Sequence, residues 1–409
     1  MNAKEKTICV LGTFDTKSQE FGYLIDQIRA LGADVISVDA GFHGTAALRA
    51  NYPPETVIRE GGSTPAQVRR MHRSDAMAVA IRGAGRIVRR LTEEKMIHGV
   101  IGMGGSGGTT LASEVMRELP LGFPKVIIST LGGTAKIGRY VGSRDILVLN
   151  SVVDVSGVNS ITRVVFSHGA GAVVGAALAA EGVRQDGKKR IAATMYGLTT
   201  PAVTYAKEYL VRQGYEVIVF HATGSGGRAM EELIREGFFD GVLDMTLPEI
   251  HSHVLHVASS DPGPGRLVNA ARMGIPLVAA PGAMDMVSTT DFSQYPDRKI
   301  YCHNTAPSHF RPNAQDVQKS GAYIADALNQ ATGPCAFYFP HGGLSMVGVP
   351  GEIMSDPPTD SVLCDTIRAA IDPARVEFHE SELDINDKAF ALTLAQRLDE
   401  MIAQKEQKE

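Results

Sequence analysis

The sequence has no CxxC pair. Its four cysteines, Cys9, Cys302, Cys335 and Cys364, stand far apart, the usage of a protein with reduced thiols. The opening residues MNAKEKTICVLGTF contain no signal-peptide apolar core, so a cytoplasmic location is expected. The most membrane-like run, GAGAVVGAALAA at 169–180, is shorter than the roughly 20 apolar residues of a span and is made of small side chains, as in a closely packed buried helix. Beyond Lys188, Lys189 and Arg190 there is no block of like charge, and the formal net charge is −5. Neither nucleic acid nor a membrane is therefore an expected partner.

What the chain does have is length and alternation. Its 409 residues suit two domains of ordinary size. Short apolar runs, often β-branched, alternate with helical patterns, which predicts α/β architecture with parallel sheets and crossover helices. In the first half strands are expected at 7–11, 35–38, 99–101, 126–128 and 146–149, with helices at 17–30 and 77–91, the latter capped by Ser74 or Asp75. The polar segment VRQDGKKR at 183–190 reads as a linker. A second series of strands follows at 191–195, 217–220, 241–244, 277–280, 299–303 and 336–340. The domains are placed at 1–184 and 190–409, closing with a helix at 387–405.

The densest glycine run is GMGGSGG at 102–108, five glycines in seven residues. A P-loop needs GxxxxGK[ST], and no register supplies the lysine. The GxGxxG spacing matches at Gly102, Gly104 and Gly107, but a dinucleotide fingerprint follows the first strand and meets an acid at the end of the next. Here the run follows the third strand, and the next ends in Ser129 and Thr130. What survives is local chemistry: Gly104, Gly105, Ser106, Gly107 and Gly108 let backbone amides converge, and Thr109 opens a helix whose N-terminus favours an anion. The alternative is a tight turn without a ligand, although one or two glycines would suffice for that.

Two further loops share that chemistry. After the first strand, GTFDTK offers Gly12 for close approach, Thr13, Asp15 for a hydroxyl or metal, and Lys17 as a point charge for phosphate. The second strand ends in Asp39, where an acid meets ribose hydroxyls in doubly wound sheets. Taken singly, Asp39 and Lys17 could equally be capping or surface residues. After the fourth strand, STLGGTAKIG brings Gly132 and Gly133. Loops at the carboxyl ends of parallel strands converge on one crevice, so together they point to a nucleotide.

The segments LGTFDTK, DAGFHG, IGMGGSGGTTLA, STLGGTA, VSGVNSITR, PGAMDMV and INDKAFA, in this order along nearly the whole chain, resemble the ATP-binding domain family of the tomato mosaic virus resistance protein and its bacterial relatives. The resemblance implies two Rossmann-like domains, ATP on the N-terminal one, Mg2+ left open as its counter-ion, and a homo-oligomer, a dimer. Carried onto this sequence, the nucleotide contacts fall at Gly12, Thr13, Asp15, Lys17, Asp39 and the run from Gly104 to Thr109. The chain departs from the family pattern at MTLPEIHSHVLH, 245–256, and at Ser345, Met346, Val347 and Gly348.

Eight of the twelve histidines lie beyond residue 190. His221, Glu249, Asp285, His303 and His341 follow strands, and with Arg311 as a carboxylate or phosphate fork they make a catalytic set for an interdomain cleft. His251 and His253 lie two apart on a helix and diverge, so no metal centre is expected there. These readings favour an ATP-dependent enzyme acting on a small anionic metabolite. A non-catalytic ATP-binding interaction module and a nucleotide-sugar enzyme are the alternatives.

Overall fold

A computed structural model describes residues 3–44, 46–180, 187–289, 291–302 and 308–407. The chain divides into two compact units, Met1–Arg184 and Gln185–Glu409. In the first, the apolar runs form β1 (Thr7–Gly12), β2 (Asp34–Asp39), β3 (Gly99–Gly104), β4 (Lys125–Ser129) and β5 (Leu147–Asn150). They pair in parallel in the order β2-β1-β3-β4-β5. Alternate side chains enter two cores: Ile8, Val10, Ile101 and Ile128 meet Phe21 and Phe166 on one face, while Cys9, Leu11, Val100 and Ile127 meet Ala84 and Leu111 on the other. A sheet buried on both faces explains why these strands read as continuous apolar runs.

The second unit repeats the plan. Its sheet contains β6 (Arg190–Met195), β7 (Glu216–His221), β8 (Gly241–Thr246) and β9 (Leu277–Gly282). Between this stretch and the rest of the sheet come the two-residue strands β10 (Val287–Ser288), β11 (Ile300–Tyr301) and β12 (His309–Phe310), and then β13 (Cys335–Pro340) and β14 (Glu377–Ser381) complete it. The order is β14-β13-β9-β8-β6-β7, again parallel throughout. In both units the second strand lies outside the first and the third on its other side. The direction of winding thus reverses beside the first strand, where doubly wound sheets open a crevice at the carboxyl ends.

Three local expectations change. The strand expected at 299–303 shrinks to β11, which joins β10 and β12 in a small antiparallel sheet; Ile300 is 40% exposed, so this run lacks the two buried faces of a central parallel strand. His303 lies outside the described residues, as do 183–186 of the linker. The helix expected at 77–91 begins earlier, at Arg73, and its N-cap is His72 without a side-chain bond. Ser74 and Asp75 therefore sit within its first turn instead of capping it.

The small-residue run belongs to the helix Ser160–Ala179, whose 20 residues are long and apolar enough to cross a membrane by length and composition. In the unit it is a core helix: a Cβ at Gly169 would lie 2.5 Å from Ile128 Cδ1, and Phe166, Ala170 and Val173 are fully buried. The motif VSGVNSITR starts this helix, since Asn159 Oδ1 accepts the Ile161 and Thr162 amides at 3.0 Å each in a capping box. INDKAFA has a similar task. Asp387 caps the helix Lys388–Glu406, and Asn386 Nδ2 donates to the Leu198 carbonyl at 3.0 Å.

Candidate functional site

Beside β1 and β3, at the reversal of winding in the first unit, lies a cavity of about 240 Å³. After β1 come Thr13, the N-cap of the helix Phe14–Ala30, and Asp15 and Lys17 from its first turn; after β3 come Gly105, the N-cap of the helix Ser106–Arg117, and Ser106, Gly107 and Gly108 from its first turn. Sequence reasoning had named these seven. The cavity wall also holds Phe42 and His43 after β2, Asp154 after β5, and Arg73 and Met77 from the helix Arg73–Glu93, none of which it assigned to the site. A groove of about 370 Å³ shares Arg73, Met77, Ser106 and Gly107 with the cavity and reaches Thr110.

The helix Ser106–Arg117 begins in this wall with Gly105 as N-cap and no side-chain cap bond. Its first amides have no intrahelical acceptor, and they carry the positive end of the helix dipole. Arg73 adds a full charge. Its Nη2 would lie 3.6 Å from a Cβ at Gly107, and among the described residues the guanidinium has no hydrogen-bond or ion-pair partner. The glycines divide by task. A Cβ at Gly108 would stand 2.6 Å from the Met103 carbonyl oxygen, and Gly104 has φ +153, so both are dictated by the turn. Gly105 and Gly107 have ordinary contacts only, and their small size keeps the wall open.

Asp15 is held in position by what surrounds it. Its Oδ2 accepts the Phe42 and His43 amides at 3.1 and 2.8 Å, and Gly41 leaves room for the carboxylate, since a Cβ there would be 2.7 Å from Cγ. Oδ1 is buried without a partner among the described residues. A buried acceptor of this kind calls for a donor or a cation. Lys17 lines the cavity, yet its Nζ donates to the Val155 carbonyl, which ties the β1 loop to the segment after β5.

The other first-unit candidates lie off the cavity wall. Asp39 is 1% exposed, and its Oδ1 accepts the Phe14 and Gly41 amides at 2.9 Å each. Burial raises its carboxyl above the ordinary value, against the lowering by those two amides. It serves the start of the helix Phe14–Ala30 and joins the β1 and β2 loops. Gly12 makes room for Phe21, whose ring would be 1.9 Å from a Cβ. Thr109 is fully buried and bonds Ser129 Oγ at 2.7 Å. Gly132 and Gly133 pass against Asn150, where Cβ atoms would find neighbours at 2.8 and 3.0 Å.

The sequence GSGG recurs at 224–227 and starts the helix Ser225–Arg235. Here the anion is supplied by the protein. Glu249 Oε1 accepts the amides of Gly224 and of Gly227, the latter at 3.2 Å, and Oε2 accepts Arg266 Nε at 2.9 Å. Both oxygens of this expected catalytic acid are thus engaged in a cluster in which the fully buried Arg266 also pairs with Asp244 and lies 3.8 Å from Glu231. Burial alone would lower the guanidinium's pKa, but the carboxylates of Asp244, Glu249 and Glu231 raise it well above its ordinary value.

Glu231 is the strained member of this cluster. Burial pushes its carboxyl from 4.5 up to about 8, with Arg266 opposing and Asp244 adding to the rise. Between those two values the folded state holds a proton that the unfolded state has released. Stability is therefore full below about 4.5 and falls as pH rises towards about 8, by up to about 1.4 kcal/mol per pH unit. Glu231→Gln, which keeps an acceptor for the Leu267 amide, is expected to flatten that slope in urea titrations and to be more stable than wild type at pH about 9. An unchanged slope would assign the pH dependence to another group.

Asp285 and Arg311 are brought together. Asp285 is fully buried after β9; Ser345 Oγ donates to its Oδ2 at 2.5 Å, and a Cβ at Gly348 would lie 2.2 Å from the same oxygen. Burial raises its carboxyl, while Ser345 and Arg311 lower it. Arg311 follows β12, is 5% exposed, and donates to Asp360 Oδ1 at 2.5 Å and to the Asp356 carbonyl at 3.2 Å. Burial pushes Asp360 up to about 7 against the pull of Arg311. Asp285 Oδ1 and Arg311 Nε and Nη1 are buried without hydrogen-bond partners among the described residues.

The histidines separate. His221 is exposed at the end of β7, with its ring 5.5 Å edge-on from Tyr196. The Tyr196 hydroxyl bonds Ser288 Oγ at 2.9 Å and His309 Nε2, a grouping that sequence spacing did not reveal. His341 Nε2 lies 2.7 Å from Glu380 Oε2. His251 is fully buried between Ser320 and the Met284 carbonyl, and burial brings it down to about 4. His253 pairs with Asp261 at 2.9 Å.

Residues 6–182 match the N-terminal domain of the uncharacterised protein family UPF0261, and residues 188–402 match its C-terminal domain. The chain belongs to this family. It is 40% identical over 402 residues to the UPF0261 protein of Clostridium tetani, covering 97% of this chain and 99% of that one. To the ToMV resistance protein Tm-1(GCR237) of Solanum lycopersicum it is 34% identical over 420 residues, covering 95% of this chain. It spans 55% of that tomato relative's length. Among solved structures, a UDP-N-acetylglucosamine 2-epimerase aligns at 9% identity and TM-score 0.25, over 67% of this chain and 79% of that one. Acinetobacter baumannii MurG aligns at 12% identity and TM-score 0.22, over 96% and 99%.

Proposed function

We propose that the first unit binds ATP, with the phosphates on the uncapped first turn of Ser106–Arg117 and against Arg73. The carrying observation is the contrast between the two GSGG helix starts. At 224–227 the amides hold the Glu249 carboxylate, whereas among the described residues no side chain accepts from the amides at 105–108, and Arg73, without a partner among them, stands beside that helix start. Resemblance of its motifs to an ATP-binding domain family supports ATP as the nucleotide, and the cavity with its adjoining groove reaches the size range of small-molecule sites. Asp15, with its buried unpartnered Oδ1, and Asp154 are the acids that would hold Mg2+. That ion would neutralise phosphate charge, as Mg2+ does when bound by one or two carboxylates together with phosphates.

The same reading makes the protein an enzyme whose small anionic substrate is met in the second unit by Arg311 and Asp285. Their unpartnered polar atoms support this, because such atoms are costly unless a ligand or water completes them. A homodimer is the proposed assembly.

A thermal-shift series tests the central claim. ATP or ADP with Mg2+ at about 100 times Kd should stabilise the protein by about 2.7 kcal/mol, and adenosine should do less. If neither nucleotide raises the melting temperature at millimolar concentration, the assignment fails. Turnover is then followed as ADP release with a panel of small acids. Binding without turnover under any of them would point instead to an ATP-binding interaction module.

A further inference from the structure

The second unit holds a group of side chains that neither the nucleotide site nor the Asp285–Arg311 cluster uses. β13 and β14 run parallel with Phe339 opposite Glu380, and just beyond β13 the His341 amide donates to the Ser381 carbonyl at 2.7 Å. This brings the imidazole to Glu380, with Nε2 and Oε2 at 2.7 Å. From the helix Pro357–Ala370 the Cys364 thiol meets the same oxygen at 3.5 Å. The three potential donor atoms all lie within 4.8 Å of one another. They come from three different elements, so the grouping is a product of the fold.

A plain ion pair would explain the histidine and the glutamate, but not a buried free thiol directed at the same carboxylate oxygen. Sulfur, imidazole nitrogen and carboxylate oxygen together are ligand types of zinc. The carboxylate is also oriented. Arg368, one turn after Cys364, donates to Glu380 Oε1 at 2.7 Å and leaves Oε2 for the other two groups, the outer support that ligating carboxylates usually have. His341 and Glu380 remain 30% and 33% exposed, so one side of the group is open to solvent.

We propose that His341 Nε2, Cys364 Sγ and Glu380 Oε2 form a binding site for zinc or a similar borderline divalent cation, with three protein ligands and one position open to water or a ligand atom. Three donors and an open position are the arrangement of zinc sites that do chemistry, whereas structural sites are closed by four. The absence of a CxxC or HxxxH spacing hid the site from sequence reading.

The test uses the full chain, stripped with chelator and titrated with Zn2+ and then Co2+. We expect binding of about one equivalent by three ligands, and a thiolate-to-cobalt charge-transfer band that Cys364→Ser removes. His341→Ala and Glu380→Gln should each weaken binding by more than the about 10–100-fold typical of outer-shell changes. Arg368→Gln should fall within that range and keep the band, and His379→Ala should change neither. Because Cys364 is buried, its variant could fail to fold; His341 and Glu380 are at the surface and decide the matter alone. Zinc affinity unchanged in both of those variants, or cobalt bound without a thiolate band, would overturn the proposal. ATP binding is measured in parallel and is expected to be unaffected, so this outcome is separate from that of the nucleotide assignment.

Discussion

Arg266→Met is expected to lower the stability of the second unit by about 3–5 kcal/mol, the cost of leaving buried charges without their partner. Asp244, Glu249 and Glu231 are 1%, 1% and 5% exposed, and the guanidinium is the cation they share. In calorimetry the transition of this unit should fall by about 6–20 °C, at about 2–4 °C per kcal/mol. Two further measurements separate charge from packing. The penalty should shrink as pH falls, since protonated carboxyls need no counter-charge. Adding Asp244→Asn and Glu249→Gln to Arg266→Met should recover part of the loss. A penalty independent of pH and unrelieved by the added changes would make Arg266 a packing residue.

That cluster also shows where sequence reading reaches its limit. Strand runs were legible because a parallel sheet covered on both faces needs unbroken apolar stretches, and ten of the eleven expected strands reappear in the two large sheets. Short or half-exposed strands such as β10 and β14 carry no such signal. The glycine loops were legible as anion chemistry, but the partner of each was not. Glu249 and Asp39 look like site acids in one dimension, and in three dimensions both are bound by amides of helix starts. Arg73 went unnamed, because Ser74 and Asp75 beside it suggested the cap of a helix starting at 77, whereas the helix begins at Arg73 itself. Its position beside Gly107 depends on where the helix begins and how it packs, which spacing does not encode.

Arg73→Ala is expected to weaken ATP binding by about 10–150-fold, the equivalent of the 1.5–3 kcal/mol typical of a hydrogen bond to a charged group. Adenosine affinity should stay within about twofold, because the guanidinium is assigned to the phosphates. The salt dependence of ATP binding should weaken with it. Stability should hardly change, since the side chain has no partner among the described residues to lose. Gly107→Val is the companion. A Cβ there meets only the flexible ends of Arg73 and Met77, at 3.6 and 3.7 Å, so the fold should accept it while the cavity loses room for a phosphate. The last glycine of the second unit's GSGG, Gly227, should behave in the opposite way. A Cβ at Gly227 would stand 2.0 Å from Glu249 Oε2, so Gly227→Val should destabilise the unit and leave ATP affinity in the folded protein unchanged. If both valine variants were equally unstable and bound ATP equally well, the two GSGG loops would be alike as structural turns, and the phosphate would have to bind elsewhere.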